Sequence, residues 1–510
     1  MFFSVYTLGC KLNQLETEAI ADSFCREGFS YVPWDSSELR SAEPDSKEPS
    51  ILVINTCTVT SMADQKARRI IRKALKDHER ACLIVTGCYA QMEKEALAAL
   101  EAERGSRDCR SVQPHRLFVI PGEMKDRILE LPRFLAGTED VSALPGLVAS
   151  WFDTLSKAVG PKAAGSFSFR PENFVSHSRG FLKIQDGCDH RCAYCRVSLA
   201  RGKSRSLAAA EVLGALQTLE DRGYAEAVLT GVNITQYRDT DAGFPGLPAL
   251  LDFLLKETGK IRIRLSSIEP DEFTSGQNGM DYARVLAHPR IRPHFHLSVQ
   301  SGSPDILAKM GRPYSPEDIE HTADLLRSVR EDPFLACDII AGFPGETETE
   351  FEKTRKLCEG IGFAWIHAFP FSRRPGTAAY DFPDQIPEKD AAGRVELLTE
   401  LARKGRREYL GRWEGKEVEA IVEKGSQLAI PGLPGVFVPG VSENYLKLLI
   451  DCGGEPAPAP GSLIRCIISR NQGLLQDSAR ISGSAASRFD ALAERTADTI
   501  CIETKKAIYY

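Results

Sequence analysis

At 510 residues the chain is longer than one ordinary hydrophobic core supports, so roughly two to four domains are expected. Hydrophobic residues at 43% and charged residues at 26% fit a soluble globular protein, and no apolar run nears the roughly eighteen residues of a membrane span, which excludes a membrane-spanning class. A net charge of −6 excludes a globally basic nucleic-acid binder, so any RNA-binding surface must be local: the basic stretches Lys66–Lys76 and Arg403–Arg407, the latter running on to Arg412 and Lys416, are the candidates.

The opening Met1–Glu18 has no basic segment followed by a long apolar run, so it reads as a strand (residues 2–7) and a helix (about Glu16–Gly28), not a secretion signal; a cytoplasmic protein is the expectation. A polar loop follows at about 35–50. Ile51–Asn55 then reads as a buried strand, Ser61–His78 as a helix, and Cys82–Thr86 as the next strand. Strands alternating with helices predict a small parallel α/β domain over residues 1–125. Residues 126–173 show no clear pattern and read as a linker.

From 174 to about 405 the alternation repeats. Gly180–Ile184, Ala227–Thr230, Arg262–Leu265, His294–Ser298, Ala336–Ile340 and Trp365–Phe369 are the expected strands, with helices such as Ala208–Arg222 and Pro316–Val329 between them. This is the pattern of a barrel or partial barrel, whose chemistry gathers at the carboxyl ends of its strands. Gly187–Cys188, Thr230–Asn233, Ser266–Pro270, Ser298–Gly302 and Gly342–Glu346 fall there. The last of these lacks the lysine and spacing of a phosphate loop. Beyond Trp413, Glu417–Glu423, Gly435–Val441, Tyr445–Ile450 and Ser462–Ser469 predict a small antiparallel barrel over 406–480. The tail, 481–510, reads as helical after about Ser482 and then weakly patterned.

Fourteen cysteines in a cytosolic chain favour metal or redox roles over disulfides. Cys25, Cys82, Cys337 and Cys358 sit in apolar patterns and read as core, while Cys109, Cys452, Cys466 and Cys501 have no partner at metal-ligand spacing. The sharpest signal is Cys188-Asp-His-Arg-Cys192-Ala-Tyr-Cys195. Three thiolates on one loop suit three corners of a four-iron cluster, and the fourth iron is left to bind the amino and carboxylate groups of S-adenosylmethionine. One electron from the cluster would then cleave the sulfonium and release a 5′-deoxyadenosyl radical. Zinc is the alternative; it wants a fourth ligand, and His190, inside the loop, would crowd its neighbours. Cys10, Cys57 and Cys88 each follow an expected strand. Strand ends of a parallel sheet share an edge, so the three can converge, although on these residues alone core packing is the favoured account.

These phrases closely resemble the radical S-adenosylmethionine methylthiotransferases over nearly the whole chain. Gly180-Phe-Leu-Lys-Ile-Gln-Asp-Gly-Cys188 and Ala200-Arg-Gly-Lys-Ser-Arg-Ser206 match that family's core motif, and Gly9–Glu16, Asn55–Cys57 and Gly87–Gln91 match its three auxiliary-cluster phrases. Arg196-Val-Ser-Leu199 departs from it, standing where relatives carry an apolar pair and a proline. The resemblance implies two [4Fe-4S] clusters, on Cys188, Cys192 and Cys195 and on Cys10, Cys57 and Cys88, together with a terminal RNA-binding barrel, the TRAM domain. It further implies S-adenosylmethionine contacts from Tyr194 on the adenine, Thr230 and Gly231 at the methionine end, Ser298 and Gln300 at the ribose and carboxylate, and Gly342 against the adenine.

Thr7–Glu18, Ala200–Ser206 and His367–Arg374 are similar to the members that act on N6-threonylcarbamoyladenosine. The implied reaction adds a methylthio group to C2 of that base beside the anticodon, with the transfer RNA anticodon stem-loop and an electron donor such as flavodoxin or ferredoxin as partners. Isopentenyladenosine or a ribosomal-protein aspartate is the alternative substrate. An RNA-binding protein that keeps its clusters without catalysis is the non-enzymatic one.

Overall fold

The computed structural model describes residues 1–34, 48–105, 115–157, 167–274, 276–425, 427, 436–452, 455–469 and 500–503. The polar loop expected at 35–50 falls mainly outside them, as do Cys109 and most of the tail.

Ser30–Tyr31, Phe2–Thr7, Ile51–Thr56, Cys82–Gly87 and Leu117–Val119 form one sheet in that spatial order, every pair parallel. Ile51–Thr56 and Cys82–Gly87 are buried at every position, as a parallel sheet covered on both faces requires. The helix Lys11–Arg26 begins directly after Cys10, several residues before the expected Glu16. Cys10 occupies the cap position with extended backbone and no capping hydrogen bond, so the usual Ser, Thr, Asp or Asn start signal is missing.

Residues 126–173, expected to lack pattern, carry the end of a 3-10 segment, Gly122–Glu130, and the helices Leu131–Leu135 and Leu144–Lys157. Ile128, Leu131, Leu135, Leu144, Val148 and Trp151 pack into the same core as Phe3, Phe24 and Val53. Pro132, Pro145 and Gly137 cut this stretch into pieces too short for a helical period to register.

All six expected middle strands are present. Gly180–Lys183, Glu226–Thr230 and Arg262–Leu265 form one parallel sheet, and His294–Gln300, Phe334–Ala341 and Trp365–Pro370 a second. Parallel bridges at Ile263–Ile291 and Ile268–Leu297 link the two. Helices including Ala209–Asp221, Leu247–Glu257, Pro316–Val329 and Glu348–Ile361 intervene and share one large core with these strands.

The helix Glu388–Trp413 leads into Glu417–Val422, Phe437–Ser442, Lys447–Asp451 and Leu463–Ser469, an antiparallel set. Ile500–Glu503, in the tail read as helical and then weakly patterned, is a strand that closes this set into a barrel between Lys447–Asp451 and Leu463–Ser469. Four residues are too few to show a period, but closure removes two exposed edges. Buried ion pairs fasten the barrel to the middle sheets. Glu226 receives Arg264 at 2.6 Å and Arg292 at 2.9 Å; Arg292 also reaches Glu419 at 2.7 Å, and Arg179 reaches Glu423 at 2.8 Å. Burial raises the Glu226 carboxyl, and Arg264, Arg292 and Arg179 more than reverse it, so the group stays ionised.

Candidate active site

Cys10, Cys57 and Cys88 lie at the carboxyl ends of three adjacent strands whose register pairs Thr7 with Asn55 and Thr56 with Gly87. Two glycines let these loops approach. Gly9 and Gly87 have φ of +102° and +103°; a Cβ on Gly9 would lie 2.7 Å from Cys57 Sγ, and one on Gly87 2.3 Å from the Thr56 carbonyl oxygen. Asn13 Nδ2 donates to the carbonyls of Leu8 at 2.7 Å and Thr56 at 3.0 Å, while Asn55 Nδ2 donates to the Asn13 carbonyl at 3.0 Å. All three thiols are free. Burial, then the neighbouring Cys10, pushes the Cys57 thiol up to about 12. Sulfurs that raise one another's pKa need a cation to become thiolates together, and an iron cluster supplies one. The donor set therefore fits such a cluster.

The second trio occupies the loop after Gln185–Asp186. Gly187, at φ +74°, sits where a Cβ would lie 2.0 Å from the Lys203 carbonyl oxygen, and Cys188 N donates to the Gly202 carbonyl at 3.1 Å. Ala193 N donates to the Met310 carbonyl at 2.9 Å, and Val197 N to Cys195 Sγ at 3.4 Å. Burial pushes the Cys188 thiol up to about 11, with Cys192 and Cys195 adding to it. His190 Nδ1 lies 3.0 Å from Glu269 Oε2, so that nitrogen is turned to a carboxylate.

The two trios flank one seam: Arg196, next to Cys195, reaches Glu93, just past the helix that Cys88 opens, at 3.3 Å. Arg201 stands between them, buried, with hydrogen bonds of 3.1 Å to each of Asn13, Glu16 and Asp186. Burial disfavours its charge, but Cys88, Glu16, Asp186 and Cys10 outweigh that. Lys125 pairs with Glu16, and Lys183 with Asp186. Across the same seam, Arg374 Nη2 donates to Thr58 Oγ1 at 2.7 Å and Asp64 Oδ2 at 2.6 Å, bracing the loop that carries Cys57.

The residues expected to touch S-adenosylmethionine all lie at strand ends or on the cysteine loop. Thr230 is buried and its carbonyl accepts from Ile184 N at 3.0 Å; a Cβ on Gly231 would meet Gln185 Oε1 at 2.8 Å. Gln300 holds φ +66°, an uncommon angle for a side-chain-bearing residue, directly after Ser298 and Val299. Gly342 N donates to Glu346 Oε2 at 2.6 Å. The Tyr194 ring packs edge-on to Phe343, and its hydroxyl accepts from Arg312 Nη2 at 2.6 Å. Arg312 also binds Glu269 at 2.6 Å and lies over Tyr314, whose hydroxyl donates to the Ser298 carbonyl. Sequence reasoning missed Arg201, Arg312 and Gln185 as site residues. Glu269 lay in a strand-end phrase, a signal that could have flagged it; Arg312 carried none.

Comparison with known proteins fits this geometry. Residues 3–105, with the first trio, match the uncharacterized protein family UPF0004, and residues 182–358, with the second, match the radical SAM superfamily. The threonylcarbamoyladenosine tRNA methylthiotransferase MtaB of Treponema pallidum is 38% identical over 92% of this chain and 98% of its own length. The chain belongs to the radical S-adenosylmethionine methylthiotransferase family. The Bacillus subtilis MtaB is 32% identical over 87% of this chain and 89% of its own. The tRNA-2-methylthio-N(6)-dimethylallyladenosine synthase of Chlorobaculum tepidum is 29% identical over 83% of this chain and 87% of its own.

Proposed function

We infer that this protein transfers a methylthio group to C2 of N6-threonylcarbamoyladenosine next to the anticodon of transfer RNA. The observation that carries this reading is the pair of cysteine trios flanking one seam, which Arg201 bridges by hydrogen bonds to Asn13 and Glu16 on one side and Asp186 on the other. The similarity to MtaB over almost all of both chains supports the base, and the phrases Thr7–Glu18, Ala200–Ser206 and His367–Arg374 support the subgroup.

Cys188, Cys192 and Cys195 would hold one [4Fe-4S] cluster and Cys10, Cys57 and Cys88 the other; when bound, these supply the electron that cleaves S-adenosylmethionine and the iron that carries the sulfur. Tyr194, Thr230, Gly231, Ser298, Gln300 and Gly342 orient S-adenosylmethionine, and the Arg312–Glu269 pair fixes the cysteine loop against strand Arg262–Leu265 and its exit. Arg201, Glu16, Asp186 and Lys183 lock the first domain over the second, which keeps water from the reacting atoms.

The division is 1–125 as the sulfur-carrying domain, 126–173 as a connection whose helices Leu131–Leu135 and Leu144–Lys157 pack into that domain's core, 174–405 as a partial (βα)6 radical barrel, 406–480 as a TRAM-type barrel that grips RNA, and 481–510 as tail. The anticodon loop is unpaired, so presenting its base requires little melting. A flavodoxin or ferredoxin is the fitting electron donor, and the cytoplasm the fitting compartment. Among the described residues no helix is long and apolar enough to cross a membrane. Nucleoside mass spectrometry on transfer RNA from cells with and without the gene tests the reading. Loss of the methylthio form of threonylcarbamoyladenosine alone is expected; an unchanged profile, or loss of the isopentenyl form instead, contradicts it.

A further inference from the structure

A polar cavity of about 250 Å³ opens where the first domain, the middle sheets and the terminal barrel meet. Lys11, Ser178, Arg179, Tyr445 and Lys447 are among the residues that line it. Most of its charges are spoken for: Arg179 binds Glu423 at 2.8 Å, Lys447 lies 3.4 Å from the same carboxylate, and Lys424 Nζ donates to the Phe174 and Val175 carbonyls. Lys11 is different. Half-buried, it has no carboxylate partner among the described residues and lies 5.6 Å from the centre of the Tyr445 ring. Ser178 Oγ is buried there with no hydrogen-bond partner among the described residues. Lys11, Arg179, Arg264 and Lys447 all lie within 5.9 Å of the centre of the Tyr445 ring, and Lys11 above all, against burial, pushes its phenol down to about 8.

An unpaired ammonium beside an orphaned hydroxyl calls for an anion with hydrogen-bond acceptors. Position narrows the choice. Lys11 directly follows Cys10, and the Tyr445 ring it lies over stacks on His294, the first residue of the strand His294–Gln300, at 4.0 Å, so its ammonium borders the middle strands. The reacting C2 and the N6 substituent of adenosine sit on the same edge of the purine, either side of N1. A carboxylate on that substituent therefore lies within side-chain reach of the groups that hold the sulfur at C2. We propose that this cavity takes the free carboxylate of the threonylcarbamoyl substituent, with Lys11 as counter-cation and Ser178 as donor. The proposal rests on the substrate reading above and assigns the residues that carry its specificity.

The test needs first only the unaltered, cluster-loaded enzyme and two anticodon stem-loop RNAs, one bearing threonylcarbamoyladenosine and one bearing its primary carboxamide. The expected result is a KM about tenfold or more higher for the amide. Lys11→Gln and Ser178→Ala are each expected to raise KM for the acid and bring the acid-to-amide ratio toward one, with iron content as the check on folding. Equal KM for acid and amide with the unaltered enzyme overturns the proposal. So does a Lys11→Gln variant that weakens both RNAs equally, because the cavity then takes an RNA phosphate. Enzyme that cleaves S-adenosylmethionine but methylthiolates neither RNA overturns the substrate reading, and this proposal with it.

Discussion

Arg201 reaches Glu16 and Asp186 through Nη1 and Asn13 through Nη2, a spread over two nitrogens that a single ammonium lacks. Arg201→Lys keeps the charge and loses the geometry, leaving two buried carboxylates under-compensated; the expected cost is about 2–3 kcal/mol in urea unfolding of the apoprotein. Glu16 adds a pH dependence. Burial raises its carboxyl, but Arg201, Lys125 and Lys183 bring it down to about 2 from an ordinary 4.5. A depressed folded value means stability fully present above pH 4.5 and lost as pH falls toward 2, so Glu16→Gln is expected to flatten the acid limb of a stability profile in that window. At this scale the sequence was unevenly legible. Cysteine spacing and strand-end position picked out both trios. Arg201 and Arg312 stayed hidden because their partners lie far away along the chain, at Glu16 and Glu269, and only folding brings them together. Cys25, read as core, is exposed: in the last turn of its helix Phe24 takes the core-facing position, and Cys25, the next residue round, faces solvent.

Periodicity located the middle strands to within a residue or two, because each is a short apolar run bounded by polar loops. It failed where its assumptions fail. The helix Lys11–Arg26 starts without a capping residue, the pieces between 122 and 157 are cut by proline and glycine, and Ile500–Glu503 is too short to have a period. The glycine turns were visible as Gly-Cys pairs, though their reason, a carbonyl or sulfur where a Cβ would stand, needed coordinates. Gly87→Ala places a methyl 2.3 Å from the Thr56 carbonyl at φ +103°. The expected outcome is about 2 kcal/mol of lost stability or more, and a fall from about eight toward about four iron per chain, read by unfolding and iron assay.

Three units act together only while their interfaces hold. The terminal barrel is held through Glu226, buried among Arg264, Arg292 and Arg179, with Arg292 and Arg179 reaching on to Glu419 and Glu423. Glu226→Gln strands those arginines, and a cost of about 3–5 kcal/mol is expected in unfolding. The first domain is held by Arg201 and Arg374, which fasten the segments carrying the two trios on either side of one seam. That the two trios work together across this seam is the central claim. It is tested most directly by mass spectrometry of the nucleosides formed when reconstituted enzyme, S-adenosylmethionine, reductant and an RNA bearing threonylcarbamoyladenosine are incubated together. The unaltered protein is expected to yield the methylthio nucleoside, and a variant with Cys10, Cys57 and Cys88 all replaced by alanine to yield 5′-deoxyadenosine but no methylthio product. Equal methylthio product from both proteins would contradict the account.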